Sequence, residues 1–402
     1  MAYKVHTIFL FLIVVFLGIF PSSTYAVGNM HLGGTELHPS ISLSHSYDDN
    51  IYLNDDSNVE NVGDSVTVFS PSIELKRTHD ERSFLLSYKV DIHRFHDQDK
   101  EDRENHSATA FLDTRFPAGL RLRLRDSFVK TAEPASSELT EKDERMQNLF
   151  EVAIASNVFD RLAFELNYGA TMHDYDEDSN PALEKQDRRD EAYGGELLLR
   201  LLPKTSLFLD YRKGQIAYEV TIAGDERDST YDKYGIGLKG QITSKLTVDI
   251  MGGYENRKYE SAAKTDFKSE IASLSINYDF SPISKFTLTG ARKTQESFFV
   301  DLASNSSNYF VENRISLKMD YKMTHKVSAN LDTYYGLNDY TDDVDRKDTL
   351  SGVNVNLKYD VRPWFAIGAG YAYMQRDSDL DTLLYSEDYQ VNRYSLNLSA
   401  VF

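Results

Sequence analysis

Most of this chain alternates apolar and polar residues with a period of two. In segment 315–321, Ser, Lys and Asp separate four apolar residues, which are Ile315, Leu317, Met319 and Tyr321. Segment 84–92 repeats the pattern. In an extended strand this alternation places the two sets of side chains on opposite faces of a sheet. No stretch sustains the 3.6-residue period of a helix, so the pattern predicts an all-β fold.

The lengths of these segments favour strands that cross a membrane. Many run for about 11 to 13 residues, whereas a tilted transmembrane strand needs about 9 to 11 and soluble strands usually have five or six. Short turns such as Pro203-Lys204 alternate with long acidic loops such as Asp174 to Asp190, which is typical of outer-membrane barrels. We therefore predict a transmembrane antiparallel up-and-down β-barrel of about 18 strands, with 16 as the alternative count. Ser70-Pro71 interrupts the second strand and is a candidate bulge.

A closed barrel accounts for these segments better than a soluble sandwich. In lipid every backbone N–H and C=O needs a partner, so an open sheet edge is not tolerated. A sandwich would bury its tyrosines, whereas a barrel places aromatic residues in girdles at the two membrane interfaces. Many aromatic residues here lie near predicted strand ends: Tyr168, Tyr175, Tyr211, Tyr218, Tyr254, Tyr259, Tyr278, Tyr321, Tyr359 and Trp364.

The N-terminus has the pattern of a secretory signal peptide. Lys4 precedes an apolar run from Ile8 to Phe20, and small residues lead to a cleavage site after Ala26. The run has 13 residues, which is short of the roughly 20 that span a bilayer. We therefore predict a signal peptide at residues 1–26, a short periplasmic segment at 27–35 and the barrel at 36–402.

Composition excludes several classes of function. Acidic residues outnumber basic ones 63 to 44, the formal charge is −19 and cysteine is absent. This balance argues against nucleic acid as a partner, and the lack of cysteine excludes thiol chemistry and disulfides. The segment Gly235-Ile-Gly237-Leu-Lys-Gly240 lies inside a predicted strand with Gly235 and Gly237 on the inward face, so we expect these two glycines to make room for neighbouring side chains. We predict no cofactor, no metal site and no enzymatic activity.

The alternation also names candidate residues of the barrel lumen. Arg121, Arg123 and Arg125 occupy one face of a single strand. Arginine forks pair with carboxylates and phosphates, so this row could hold anions in transit. Alternatively, its members pair with nearby Asp113, Glu151 or other carboxylates across strands. The other lumen-facing candidates carry both signs of charge; they are Lys89, Asp91, Arg314, Lys318 and Asp320.

The last strand resembles the C-terminal signal that outer-membrane barrels present to the barrel assembly machinery. Tyr394, Leu396, Leu398 and Phe402 alternate with polar residues, and the chain ends on the aromatic Phe402. An ordinary amphipathic strand that happens to end the chain is the alternative interpretation.

The segment from Pro39 to Leu53, with its run Tyr47-Asp-Asp-Asn-Ile-Tyr52, is similar to the opening strand of the Putative β-barrel porin 2 family. That resemblance implies an outer-membrane channel in a Gram-negative bacterium, and some members of the family look like barrels encoded with exopolysaccharide secretion systems. It supplies no catalytic residues.

Three functions follow as hypotheses. The first is a porin-like channel that passes small solutes or a secreted polysaccharide. The second is a structural or surface-interaction barrel with acidic extracellular loops, and the third is an outer-membrane component of exopolysaccharide export. The expected partners are outer-membrane lipid, lipopolysaccharide, the barrel assembly machinery and, for the third hypothesis, polysaccharide export components.

Overall fold

Eighteen long antiparallel strands close into one barrel in a computed structural model of the chain. The structure describes residues 30–54, 61–117, 119–134, 143–176, 183–220, 227–261, 264–297, 309–340, 346–379 and 388–402. The predicted signal peptide at 1–26 lies outside these residues. None of the helices in the described ranges is both long and apolar enough to cross a membrane.

The strands follow one another in chain order. They are β1 (Met30–Leu32), β2 (Thr35–Asp48), β3 (Asp64–His79), β4 (Arg82–Phe95), β5 (Arg103–Arg115), β6 (Arg121–Thr131), β7 (Arg145–Phe159), β8 (Leu162–Tyr175), β9 (Arg188–Leu202), β10 (Thr205–Tyr218), β11 (Ser229–Gln241), β12 (Leu246–Tyr259), β13 (Phe267–Ser281), β14 (Ser284–Glu296), β15 (Tyr309–Lys322), β16 (Val327–Tyr340), β17 (Arg346–Arg362), β18 (Phe365–Ser378) and β19 (Tyr389–Val401). Short 3-10 helices occur at Asp99–Glu101 and Leu183–Gln186.

Each strand from β2 to β19 pairs with its neighbours in sequence, and β19 returns to pair with β2. The closing register places Tyr394 opposite Tyr47 and Val401 opposite Ser40. The Phe402 N–H donates a further hydrogen bond to the carbonyl oxygen of Pro39 at 2.9 Å. The predicted antiparallel barrel and its count of 18 strands are therefore confirmed.

Pro71 interrupts one ladder without shifting its register. Phe69 pairs with Ile92 and Ser72 pairs with Lys89, so the same number of residues separates the two pairs on β3 and on β4. No residue is inserted, and the predicted bulge is wrong. Proline lacks the N–H that the ladder to β4 requires.

The sequence did not predict β1, which lies inside the segment assigned to 27–35. β1 pairs with the start of β2 through a turn in which Gly33 has a φ of 65°, a left-handed value that glycine adopts without steric cost. Because β19 pairs with β2 only from Ser40 onward and β3 occupies the other edge, β1 covers the remainder of the edge that faces β19.

The outer face of the barrel is apolar between two aromatic belts. Tyr193, Tyr211, Tyr234, Tyr254 and Tyr394 are between 42% and 58% exposed near the ends that carry the long loops. Near the short turns the exposed aromatic residues include Phe159, Phe280, Tyr359 and Trp364. Exposed leucine, isoleucine and valine side chains lie between the belts, as the hydrocarbon layer of a membrane requires.

Three of the tyrosines predicted for these belts, Tyr175, Tyr218 and Tyr259, belong to the inner face by their parity along β8, β10 and β12. Tyr175 is 3% exposed and Tyr218 is 8% exposed. The Tyr218 hydroxyl donates to Glu296 at 3.2 Å, which joins β10 to β14 across the inside of the barrel. A position near a strand end is therefore not enough to predict that an aromatic residue belongs to an outer belt. Its odd or even position along the strand decides which face it occupies.

Candidate functional site

The candidate site is the inner face of the barrel, where the three arginines of β6 have different partners. Arg121 Nε donates to Asp113 Oδ1 at 2.8 Å, and Arg123 forms an ion pair of 2.5 Å with Glu165 on β8. Arg125 Nε donates to Ser127 Oγ at 3.3 Å. Among the described residues, no carboxylate oxygen lies within 4.0 Å of the Arg125 guanidinium. Pairing through Asp113 is thus present, whereas Glu151 forms no such pair.

Four of the remaining lumen-facing candidates form two ion pairs within their own strands. Lys89 and Asp91 form an ion pair of 2.7 Å, and Asp91 also accepts a hydrogen bond from Ser70. Lys318 lies 4.0 Å from Asp320. Because each pair occupies alternate positions of one strand, the two charges share a face. Such pairs leave little net field along the wall.

A cavity of about 460 Å³ lies against the inner wall between β5 and β11. Arg123, Arg125 and Arg212 line it together with Glu151, Glu165, Asp190 and Glu191. Backbone and small side chains at Gly169, Ala192 and Gly194 form part of its wall. The cavity therefore offers both signs of charge to a bound or passing solute.

Glycines on the inner wall lie directly across from aromatic rings of the adjacent strand. A Cβ atom at Gly237 would fall 2.4 Å from Phe208, and one at Gly352 would fall 2.4 Å from Tyr334. The predicted role of Gly237 as room for a neighbour is therefore confirmed, and Gly235 likewise lies against Met251. The three ring and glycine pairs are Phe208 with Gly237, Tyr231 with Gly214 and Tyr334 with Gly352.

These rings lie along the wall, and cations lie close to them. The Arg314 guanidinium, a lumen-facing candidate from the sequence, is 4.0 Å from the Tyr334 ring centroid. Lys233 Nζ is 4.6 Å from the ring of Tyr231, and Lys239 Nζ is 5.0 Å from that of Phe208. Cation–π attraction of this kind stabilises each ring in its place. The bulk of the aromatic side chains is thereby kept out of the lumen.

A buried charged cluster, here called the Arg257 cluster, lies where β10 to β14 approach the long loops. Arg257 Nε donates to Glu255 at 3.0 Å, and its other nitrogens contact Glu255 and Glu296. Lys233 adds an ion pair of 3.1 Å to Glu255. The side chains of Arg257 and Glu255 are 3% and 0% exposed. Buried charges of this kind persist only when they are paired.

A second buried cluster lies at the same end of β16 to β18. Arg346 donates to both carboxylate oxygens of Asp348 at 2.8 and 2.6 Å, and Ser378 Oγ donates to Asp348 at 2.6 Å. The sequence did not single out Arg346, Asp348, Arg257 or Glu296. The sequence places these residues at inward-facing positions next to long loops, but the alternation alone does not show which inward charges become buried.

The residues that directly follow β2, up to Asn54, pack against β3 and β4 at the long-loop end. Ile51 packs in an apolar cluster with Val66 and Phe95, and the Asp64 carboxylate accepts the backbone N–H of Gln98 at 2.9 Å. Burial raises the pKa of the Tyr52 phenol in this loop, and the charge of Glu101 raises it further. These contacts give the long-loop end a packed rim.

The C-terminal candidates lie on the outer face at the seam between β19 and β2. Tyr394, Leu396 and Leu398 are 55%, 64% and 41% exposed, and the Phe402 ring lies 6.5 Å from that of Trp364. Their role as an assembly signal remains a prediction. No group of three or more His, Cys, Asp or Glu side chains suited to a metal ion occurs in the described ranges.

A family model described as Putative beta-barrel porin 2 matches residues 24–402. The chain belongs to this family. It is therefore a porin-like β-barrel, and the resemblance seen in its first strand is confirmed. No curated protein sequence matches the chain.

Several solved structures resemble this porin-family barrel at low sequence identity. OpdO of Pseudomonas aeruginosa is 12% identical with a TM-score of 0.49, and the match covers 91% of this chain and 97% of OpdO. OpdK of the same organism, solved with vanillate, is 13% identical with a TM-score of 0.46, over 91% and 99% of the two chains. The FrpB iron transporter of Neisseria meningitidis is 11% identical with a TM-score of 0.47; the match covers 87% of this chain and 65% of FrpB.

Proposed function

We propose that the barrel is a passive channel in the outer membrane of a Gram-negative bacterium, and that it passes small polar solutes of either charge. The observation that carries the proposal is the wall cavity of about 460 Å³, which both guanidinium and carboxylate groups line. A barrel of this many strands is wide enough for an aqueous path unless something fills it. Membership of a porin family supports the same function.

The charges of the wall support a channel with weak selectivity. Ion pairs join Arg121 to Asp113, Arg123 to Glu165 and Lys239 to Glu196. Paired charges produce a weaker field in the lumen than rows of one sign. Neither cations nor anions are then strongly excluded, because the cavity is lined by Arg125 and by Glu151, its direct partner on β7, and neither forms an ion pair among the described residues.

Planar bilayers test this proposal directly. We expect the purified, folded barrel to insert and produce discrete conductance steps in KCl, with a small reversal potential in a salt gradient. A difference in mobility between the unheated and the heated protein on a denaturing gel verifies the fold of the sample. A folded barrel that inserts but never conducts would contradict the proposal and support the surface-interaction alternative.

A further inference from the structure

The outer face of β10 to β13 carries a row of polar residues one step beyond the tyrosine belt. Lys213, Asp232, Asn256 and Lys268 are successive direct partners across these four strands. The row immediately below it consists of Tyr211, Tyr234, Tyr254 and Glu270, and the Glu270 carboxylate pairs with Arg292. Lys258 lies two residues above Asn256 on β12.

The three lysines of this surface are exposed and lack carboxylate partners. The alternation places them on the face of Tyr211 and Tyr254, which are 42% and 47% exposed. The nearby carboxylate of Asp232 accepts the Tyr211 hydroxyl at 2.7 Å. Within the described ranges no carboxylate oxygen lies within 4.0 Å of the ammonium groups of Lys213, Lys258 or Lys268. Lys268 Nζ instead lies 4.5 Å from the Tyr254 ring.

The depth of these lysines in the membrane indicates which ligand they could bind. Tyrosines of an aromatic belt place their rings in the apolar layer and their hydroxyls at the headgroups. Side chains one step beyond the belt therefore meet the headgroup layer of the leaflet on the long-loop side. A local excess of lysine in a chain of charge −19 is complementary to phosphate there, and each basic residue contributes about 1 kcal/mol to anionic lipid binding.

The surface below the row has space for an acyl chain. Gly252 lies on the outer face of β12, directly below Tyr254 on that face. A Cβ atom there would meet no other atom within 4 Å. Ala272 of β13 is its direct partner, so the two small residues form a shallow depression under the lysines.

We infer that Lys213, Lys258 and Lys268 form a binding site for the phosphates of a phosphorylated glycolipid of the lipopolysaccharide type, seated on the outer face of β10 to β13. Two phosphates of one headgroup would contact the lysines at the two ends of the row. An acyl chain would lie over Gly252. This inference is independent of conduction through the lumen.

Native mass spectrometry of the full barrel in detergent tests the site. The probes are diphosphorylated lipid A, the same lipid with its phosphates removed, phosphatidylglycerol and inorganic phosphate. We expect diphosphorylated lipid A to bind, and to bind at least about tenfold more tightly than the dephosphorylated form. Equal binding of the two forms would overturn the inference, because the acyl chains alone would then explain it. Tighter binding of phosphatidylglycerol would also overturn the assignment to a glycolipid.

The variant K213Q/K268Q tests the location. We expect it to lose at least about tenfold in affinity for diphosphorylated lipid A. The matched control K245Q/K326Q removes two lysines from the short turns at the opposite end and should retain the affinity. Retained affinity in K213Q/K268Q, or an equal loss in the control, would overturn the site. Full competition by millimolar inorganic phosphate would identify a free-phosphate site and overturn the lipid.

Discussion

The Tyr334 ring packs against Gly352, its direct partner on the adjacent strand. The Arg314 guanidinium lies 4.0 Å from the centroid of the same ring. A side chain at position 352 would occupy the space of the ring, since a Cβ atom there would fall 2.4 Å from it. The pair therefore keeps one large side chain out of the path through the barrel.

Substitution of this glycine should narrow the lumen. In Gly352→Val, we expect the Tyr334 ring to rotate away from the wall and lower the single-channel conductance, with the strand pairing retained because only a flexible side chain must move. Conductance in planar bilayers measures the change. Gly252→Val is the matched control, because Gly252 faces outward with open space around it. Equal conductance in both variants would show that the ring does not restrict the path.

Charge reversal at the unpaired arginine should change ion selectivity. In Arg125→Glu, the cavity loses its unneutralised cation, so we expect the permeability ratio of cations to anions to increase severalfold. The reversal potential in a tenfold KCl gradient measures this ratio. Lys326→Glu makes the same change of charge in a short turn, away from the cavity, and should leave the ratio near that of the native protein. A native ratio in Arg125→Glu would place that side chain outside the ion path.

The Arg257 cluster should dominate stability at the long-loop end. Arg257→Met leaves the carboxylates of Glu255 and Glu296 without their shared partner, and breaking a buried pair in this way costs about 3–5 kcal/mol. Urea unfolding followed by gel mobility measures the loss. Arg292→Met removes the exposed pair with Glu270, which should cost less than about 1 kcal/mol.

The cluster also offers an internal check. In the double variant Arg257→Met with Glu296→Gln, one of the uncompensated charges is gone. We therefore expect partial recovery of stability relative to Arg257→Met alone. A further loss in the double variant would mean that packing of the arginine, rather than its charge, stabilises the mouth.

Removal of the terminal aromatic ring should slow assembly. Phe402→Ala loses the contact with Trp364 while retaining the backbone hydrogen bond to Pro39. We expect less folded barrel in the outer membrane and more unfolded chain in the periplasm, as measured by cell fractionation. Val401→Ala, one residue earlier on the inner face, should assemble normally. Equal yields of both variants would contradict the role of Phe402 as an assembly signal.

The period of two predicted the barrel well because it reports directly on two different solvents at the two faces. Residues such as Ile315, Leu317 and Lys318 each meet only one of them, so local sequence determines their side. The same parity places Arg121 and Arg123 together on one face. The partner of Arg123 could not be predicted, because Glu165 lies two strands away and depends on the register.

The buried charges at the long-loop end could not be predicted, because their burial depends on contacts between elements that are distant in sequence. Glu255, Arg257 and Glu296 become buried through contacts between strands and loops distant in sequence, and their charges alone resemble those of any solvated face. Tyr218 is a different case, since the alternation along β10 already places it on the face opposite to Tyr211. The strand β1 could not be predicted because its three residues are too few to show an alternation of apolar and polar side chains.

The seam at β2 makes closure of this barrel depend on both ends of the chain. The edge that β2 presents is completed by β19 and Phe402 on one stretch and by β1 on the rest. Until β19 has paired with β2, that edge carries free amide and carbonyl groups that can pair with another chain. The sheet must therefore remain open until β19 reaches β2, and two strands at opposite ends of the strand order complete the cylinder.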